Sequence, residues 1–143
     1  MPTRRQFLSA LAATAATAAA ASALEACGSP FTPSTAIVGP PEVTVALMAV
    51  GQTVGVDNVG EGGSGIAVTR LAADSVIAVS RQCTHQACTV ALPGTTLGAM
   101  VCPCHGSRFT VQGSVLQGPA SAPLRTFPAV IDAANNHVVV TNA

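Results

Sequence analysis

The sequence predicts an all-β domain. Three observations carry that prediction: short β-branched and aliphatic runs, their punctuation by Gly, Pro, Asn and Asp, and no sustained helical apolar period beyond residue 26. The first runs are 43–50, 53–56, 66–71 and 75–80, each four to eight residues long and rich in Val, Ile and Thr. Shorter candidates follow at 89–92, 99–101, 108–111, 124–126, 129–131 and 137–141. Asp132-Ala-Ala-Asn135-Asn136 precedes His137-Val-Val-Val and reads as a hairpin turn, because Asn tolerates left-handed backbone. Gly60-Glu-Gly-Gly-Ser-Gly65 has neither a Lys nor a following helical pattern, so it reads as a hairpin connection, not a phosphate loop.

Composition limits the function. Of 143 residues only 8% are charged, the formal net charge is zero, and there is no Lys, Trp or Tyr. Six scattered Arg cannot build a basic face, so nucleic acid is excluded as a partner. A small aliphatic β domain of about 100 residues is marginal by burial alone, and a metal or disulfide would help to hold it.

The amino terminus reads as an export segment. Thr3-Arg4-Arg5-Gln6-Phe7-Leu8 resembles a twin-arginine signal, followed by an Ala/Thr-rich apolar run from Leu8 to Leu24. That run is short and weakly apolar for a membrane span, which needs about 20 residues. Leu24-Glu25-Ala26-Cys27-Gly28 resembles a lipoprotein box with Cys27 as the lipidated residue, although Glu25 stands where a small residue is usual. Ala21-Ser22-Ala23 is a competing cleavage site, and retention of the segment as an anchor is the third outcome. The expected organisation is a signal over 1–26, a Pro/Ser/Thr tether over 27–42 and a domain over 43–143. The expected location is the periplasm or outer face of the cytoplasmic membrane.

The chemistry is concentrated in two segments, Cys83-Thr-His85 and Cys102-Pro-Cys104-His105, separated by sixteen residues. Each supplies one thiol and one imidazole. Such a pair of segments suits a [2Fe–2S] cluster in which two His replace two Cys on one iron. A Cys2His2 zinc site uses the same atoms, but structural zinc normally shows two Cys close in sequence. Two plain disulfides among Cys83, Cys88, Cys102 and Cys104 would leave both His unexplained. Cys27 is the odd fifth cysteine, which favours its lipidation.

The stretch from Gln82 to Thr110 resembles the Rieske family. Cys83-Thr84-His85-Gln86-Ala87-Cys88 matches its first cluster loop, Cys102-Pro103-Cys104-His105-Gly106-Ser107 its second, and Gly118-Pro119-Ala120 its proline loop. The resemblance implies an antiparallel β sandwich with a small cluster-binding subdomain, here about residues 82–123. It implies one [2Fe–2S] cluster held by Cys83, His85, Cys102 and His105, with Cys88 and Cys104 bonded as a staple between the loops. Neutral imidazoles raise the potential to roughly −150 to +300 mV, against about −400 mV for all-cysteine plant-type centres. They also couple reduction to protonation.

Neighbouring residues refine the expectation. Ser107 matches the family position whose hydroxyl donates to a bridging sulfide. Phe109 stands where high-potential members carry a Tyr that donates to a cysteine sulfur, so the resemblance implies a lower potential. Gln86 replaces the Leu typical of quinol-oxidising tips. The resemblance thus implies an electron carrier with no catalytic site of its own, passing electrons to redox proteins such as a cytochrome or a larger oxidoreductase subunit. Alternatives are a subunit of a quinol–cytochrome c (bc-type) reductase or of an arsenite-oxidase-type enzyme, and, from another class, a structural zinc or disulfide interaction module. An oxygenase is not expected. Beyond His85 and His105 only His137 remains to build a second iron site, and it reads as an ordinary exposed histidine at a strand start.

Overall fold

The computed structural model describes residues 37–39 and 41–143. The segment expected to be an export signal, Cys27 and most of the expected tether lie outside the described residues. The described chain is all-β, with strands β1 (Ile37–Val38), β2 (Glu42–Ala46), β3 (Thr53–Val56), β4 (Gly60–Glu61), β5 (Ile66–Ala72) and β6 (Ser75–Ser80) in its first half. Its second half holds β7 (Met100–Val101), β8 (Arg108–Phe109), β9 (Val115–Gln117), β10 (Thr126–Phe127), β11 (Ala129–Asp132) and β12 (His137–Thr141).

Two antiparallel sheets make the base, ordered β10-β6-β5-β3 and β11-β12-β2, and their facing sides form the first core. Alternation places Val43 and Val45 of β2 and Val138 and Val140 of β12 inward, against Ile66, Val68 and Ala78. Burying each such Val or Ile contributes about 1.5–3 kcal/mol.

β5 breaks the alternation, because its first four residues are all buried. Its second face, with Ala67 and Val79, packs on another core made of Val90, Met100, Phe109, Leu124, Cys83 and Cys102. The β5–β6 pair is thus a shared wall, with the base on one side and the cysteine loops on the other.

Pro128 stands where the chain passes from β10 to β11, which belong to different sheets. Proline has no ladder N–H to lose at such a corner, and its carbonyl accepts Thr141 N–H at 3.0 Å.

The sequence expectations hold for most strands and shift for several. The Asp132–His137 hairpin forms: Asp132 Oδ1 accepts the Ala134 and Asn135 amides at 3.1 and 3.2 Å, and Asn136 is left-handed with φ 56°. Hydrogen bonds from Asn135 hold the Asp132 carboxyl below its ordinary range. His137 is half-buried, not exposed, with Nε2 3.5 Å from Asp132 Oδ2 across the turn.

Residues 89–92 make only isolated bridges, Gln82 to Thr89 and Ala91 to Val101. Val90 N–H donates to Arg81 C=O and Ala91 N–H to Val101 C=O, so successive residues pair with different segments and no continuous ladder forms. Part of the expected tether is in the fold, since β1 pairs with β4 and β2 begins at Glu42. Strands of two residues are too short to carry a period, which is why β1 and β4 leave no sequence signal.

Candidate metal centre

The two cysteine segments fold into loops with the same backbone hydrogen bonds. In the first, Cys83 N–H donates to Cys88 C=O and Ala87 N–H donates to Cys83 C=O, both at 2.8 Å. In the second, Cys102 N–H donates to Ser107 C=O at 2.8 Å and Gly106 N–H to Cys102 C=O at 3.0 Å. The fifth residue of each turn is left-handed, Ala87 at φ 55° and Gly106 at φ 75°. Gly adopts that region freely, whereas Ala pays about 1–2 kcal/mol.

These turns bury both ligand-type cysteines while keeping the imidazoles near the surface. Cys83 and Cys102 are free thiols with 2% and 1% exposure. The His85 and His105 rings meet edge to face, with centroids 4.8 Å apart; His85 is half-buried and His105 exposed. Burial pushes the Cys83 thiol above its ordinary range, and the adjoining Cys102 thiol adds to this. The backbone N–H groups of His85 and Gln86 point the other way and favour a thiolate on Cys83.

Cys88 and Cys104 are joined by a disulfide across sixteen residues of sequence. Their sulfurs and that of Cys102 lie within 4.8 Å of one another. This trio is not a thiolate metal site, because two of its members are bonded to each other. It places the staple directly beside one free thiol.

A third loop closes over the pair. Ala120 N–H donates to the fully buried Ser107 Oγ at 3.0 Å, and Thr84 Oγ1 donates to Ala122 C=O at 2.7 Å. Accepting from Ala120 leaves the Ser107 hydroxyl proton free for another acceptor. Gly118 and Pro119 are exposed on this loop and joined by a cis peptide, and Gln86 is exposed on the first. Phe109 is fully buried in the core beside both free cysteines.

Arg81 ties the first loop to the base, a role with no signal in the sequence beyond its place before Gln82. Its C=O accepts Val90 N–H at 2.7 Å and its Nε donates to Val90 C=O at 2.9 Å, closing both ends of the loop. Its guanidinium reaches Asp57 at 2.6 Å. A Cβ on Gly55 would stand 3.2 Å from that guanidinium and 2.9 Å from Leu92 Cδ1, so glycine keeps the passage open.

The donor set fits a cluster. His85 Nδ1 is buried without a hydrogen-bond partner, an uncommon state for a polar atom and the one expected of a nitrogen reserved for metal. Two adjoining buried thiols, neither of them in the disulfide, suit iron–sulfur ligation, since metal binding deprotonates a thiol.

The comparisons with known proteins agree with this geometry. A family model of the Rieske [2Fe-2S] domain matches residues 43–128. Over 52 residues, 35% of the chain, the sequence is 50% identical to cytochrome b6-f complex iron-sulfur subunit 3 of Nostoc sp. PCC 7120, spanning 28% of that subunit. The crystal structure of the cyanobacterial plasma membrane Rieske protein PetC3 from Synechocystis PCC 6803 is similar at a TM-score of 0.52 and 29% identity. That likeness covers 62% of this chain and 85% of the other. The ferredoxin of carbazole 1,9a-dioxygenase from Nocardioides aromaticivorans IC177 is similar at a TM-score of 0.52 and 26% identity, over 71% and 98% of the two chains. The chain belongs to the Rieske [2Fe–2S] domain family, and its cofactor is one [2Fe–2S] cluster.

Proposed function

We propose that this chain is a single-electron carrier, exported and tethered to a membrane, with Cys83, His85, Cys102 and His105 as its cluster ligands. The observation that carries the reading is the polarity of the donor set: two thiols buried in the core, a half-buried His85 whose buried Nδ1 has no hydrogen-bond partner, and an exposed His105. When bound, the cluster supplies one reversible electron at a potential raised by its imidazole ligands.

The residues around it have separable tasks. The His85 and Gln86 amides favour negative charge on Cys83, and the free Ser107 proton is available to a sulfur, both of which stabilise the reduced state. Phe109 fills the family's Tyr position without a hydroxyl, so one such donor is absent. His105, exposed, offers a route for the electron and a site for the linked proton.

The twin-arginine-like start and Cys27 support export and lipidation, and the similarity to a plasma membrane Rieske protein supports a membrane setting. Identity to a cytochrome b6-f subunit supports partners of the cytochrome class, and favours a second reading as the iron–sulfur subunit of a quinol-oxidising complex. The polar, exposed Gln86 at the tip favours the carrier.

Cell fractionation with a quinol-oxidation assay separates them. The carrier reading expects the protein in the membrane fraction, released by Cys27→Ala, and quinol oxidation unchanged when the protein is deleted. Loss of that activity on deletion establishes the second reading instead.

A further inference from the structure

Charge is segregated in this fold. Among residues 82–124, which hold all three loops at the centre, Arg108 is the single Asp, Glu, Lys or Arg. The other charged residues of the described chain lie in the base or at its junction, and several are already engaged. Arg81 pairs with Asp57, Arg125 with Glu61, and Arg70 donates to the carbonyls of Met48, Ala72 and Ala73.

The exposed rim of the loops carries no Asp, Glu, Lys or Arg. Pro103, Pro119 and Pro123 have no N–H, Cys104 is in the disulfide, and Thr84 and Gln86 are neutral polar residues. Arg108 is exposed but sits on β8, paired in register with Val101 and Gln117.

We infer that the electron leaves through an uncharged docking face whose occupant is a redox protein with an equally uncharged face, and not one that docks through a ring of lysines or carboxylates. The inference rests on the electron-carrier reading and names the partner chemistry it requires. A partner charge pressed against this rim would lose water and find no counter-charge, which is costly. A face without charge also gives no long-range steering, so encounter depends on diffusion and shape. The transfer itself moves one electron from the reduced cluster to the oxidised metal of the partner, with no bond made or broken.

The test is stopped-flow oxidation of the reduced holoprotein by two protein probes, a c-type cytochrome with a basic face and a cupredoxin with an acidic face. Rates are followed from about 10 to about 500 mM salt, a range over which screening of surface charge changes strongly. Each rate is expected to change by less than about threefold, whereas a charged docking cleft gives roughly 10- to 1,000-fold. Arg108→Gln is expected to leave both rates unaltered. Gln86→Glu is expected to create salt dependences of opposite sign, the rate falling with salt for the basic probe and rising for the acidic one.

A steep salt dependence in the parent protein overturns the uncharged face, and its removal by Arg108→Gln would assign docking to that arginine. Failure to reduce either probe at any salt, with the reduced-cluster spectrum intact, overturns the carrier reading and takes the docking face with it.

Discussion

The first and second cysteine loops are built on one backbone design and secured in different ways. Both use the same pair of hydrogen bonds around the buried cysteine. The second is the tip of a β-hairpin, with Val101 opposite Arg108 and Met100 opposite Phe109, and it has glycine at its left-handed position. The first has only an isolated bridge at its base, relies on the Arg81 side chain, and strains Ala87. Local sheet structure holds one loop. A side chain reaching back to the base holds the other, and the disulfide makes the second loop a support for the first.

Removing that support should have the largest effect. Cys88→Ala with Cys104→Ala opens a cross-link over sixteen residues, worth about 3 kcal/mol by loop closure, or upward of about 10 °C in the Tm of a domain this size. Thermal unfolding of the holoprotein followed by visible absorption measures it. An unchanged Tm would mean that the hairpin does not brace its neighbour.

Arg81→Gln should come next, at about 2 kcal/mol. It removes a charged donor from the Val90 carbonyl, while the exposed Asp57 partner adds little. The effect should be one-sided: hydrogen exchange rises in residues 82–90 and stays unchanged in 101–109. Equal loosening of both loops would refute the division of labour.

The smallest pair of changes tests the backbone parallel. Gly106→Ala meets no atom within 4 Å, so its cost is conformational, about 1 kcal/mol. Ala87→Gly relieves the same strain and should gain about as much. Denaturant titration of the two variants reads opposite signs if the turns are equivalent.

Legibility in the sequence followed the same contrast. The proposed ligands stood out because iron–sulfur chemistry demands particular atoms, and Cys and His are few here. β2 and β12 were legible because each buries alternate residues. β5 read as a strand, yet its burial on both faces is a tertiary fact that periodicity cannot carry. β9 was missed because Val115–Gln117 is short and mostly exposed. Arg81 counted as one of six scattered arginines, since nothing local records a guanidinium reaching Asp57, 24 residues earlier. The Ala120 amide on Ser107 was hidden for the same reason.

A buried thiol pair, half-buried His85 and exposed His105 should together hold one proton-coupled electron. An EPR-monitored redox titration across pH tests it most directly, with Phe109→Tyr run beside the parent. A one-electron signal is expected, with a potential within roughly −150 to +300 mV. That potential should fall as pH rises, because reduction is linked to protonation at the imidazoles, and the added hydroxyl should raise it. A colourless, EPR-silent protein carrying zinc, or a pH-independent potential near about −400 mV, would contradict it.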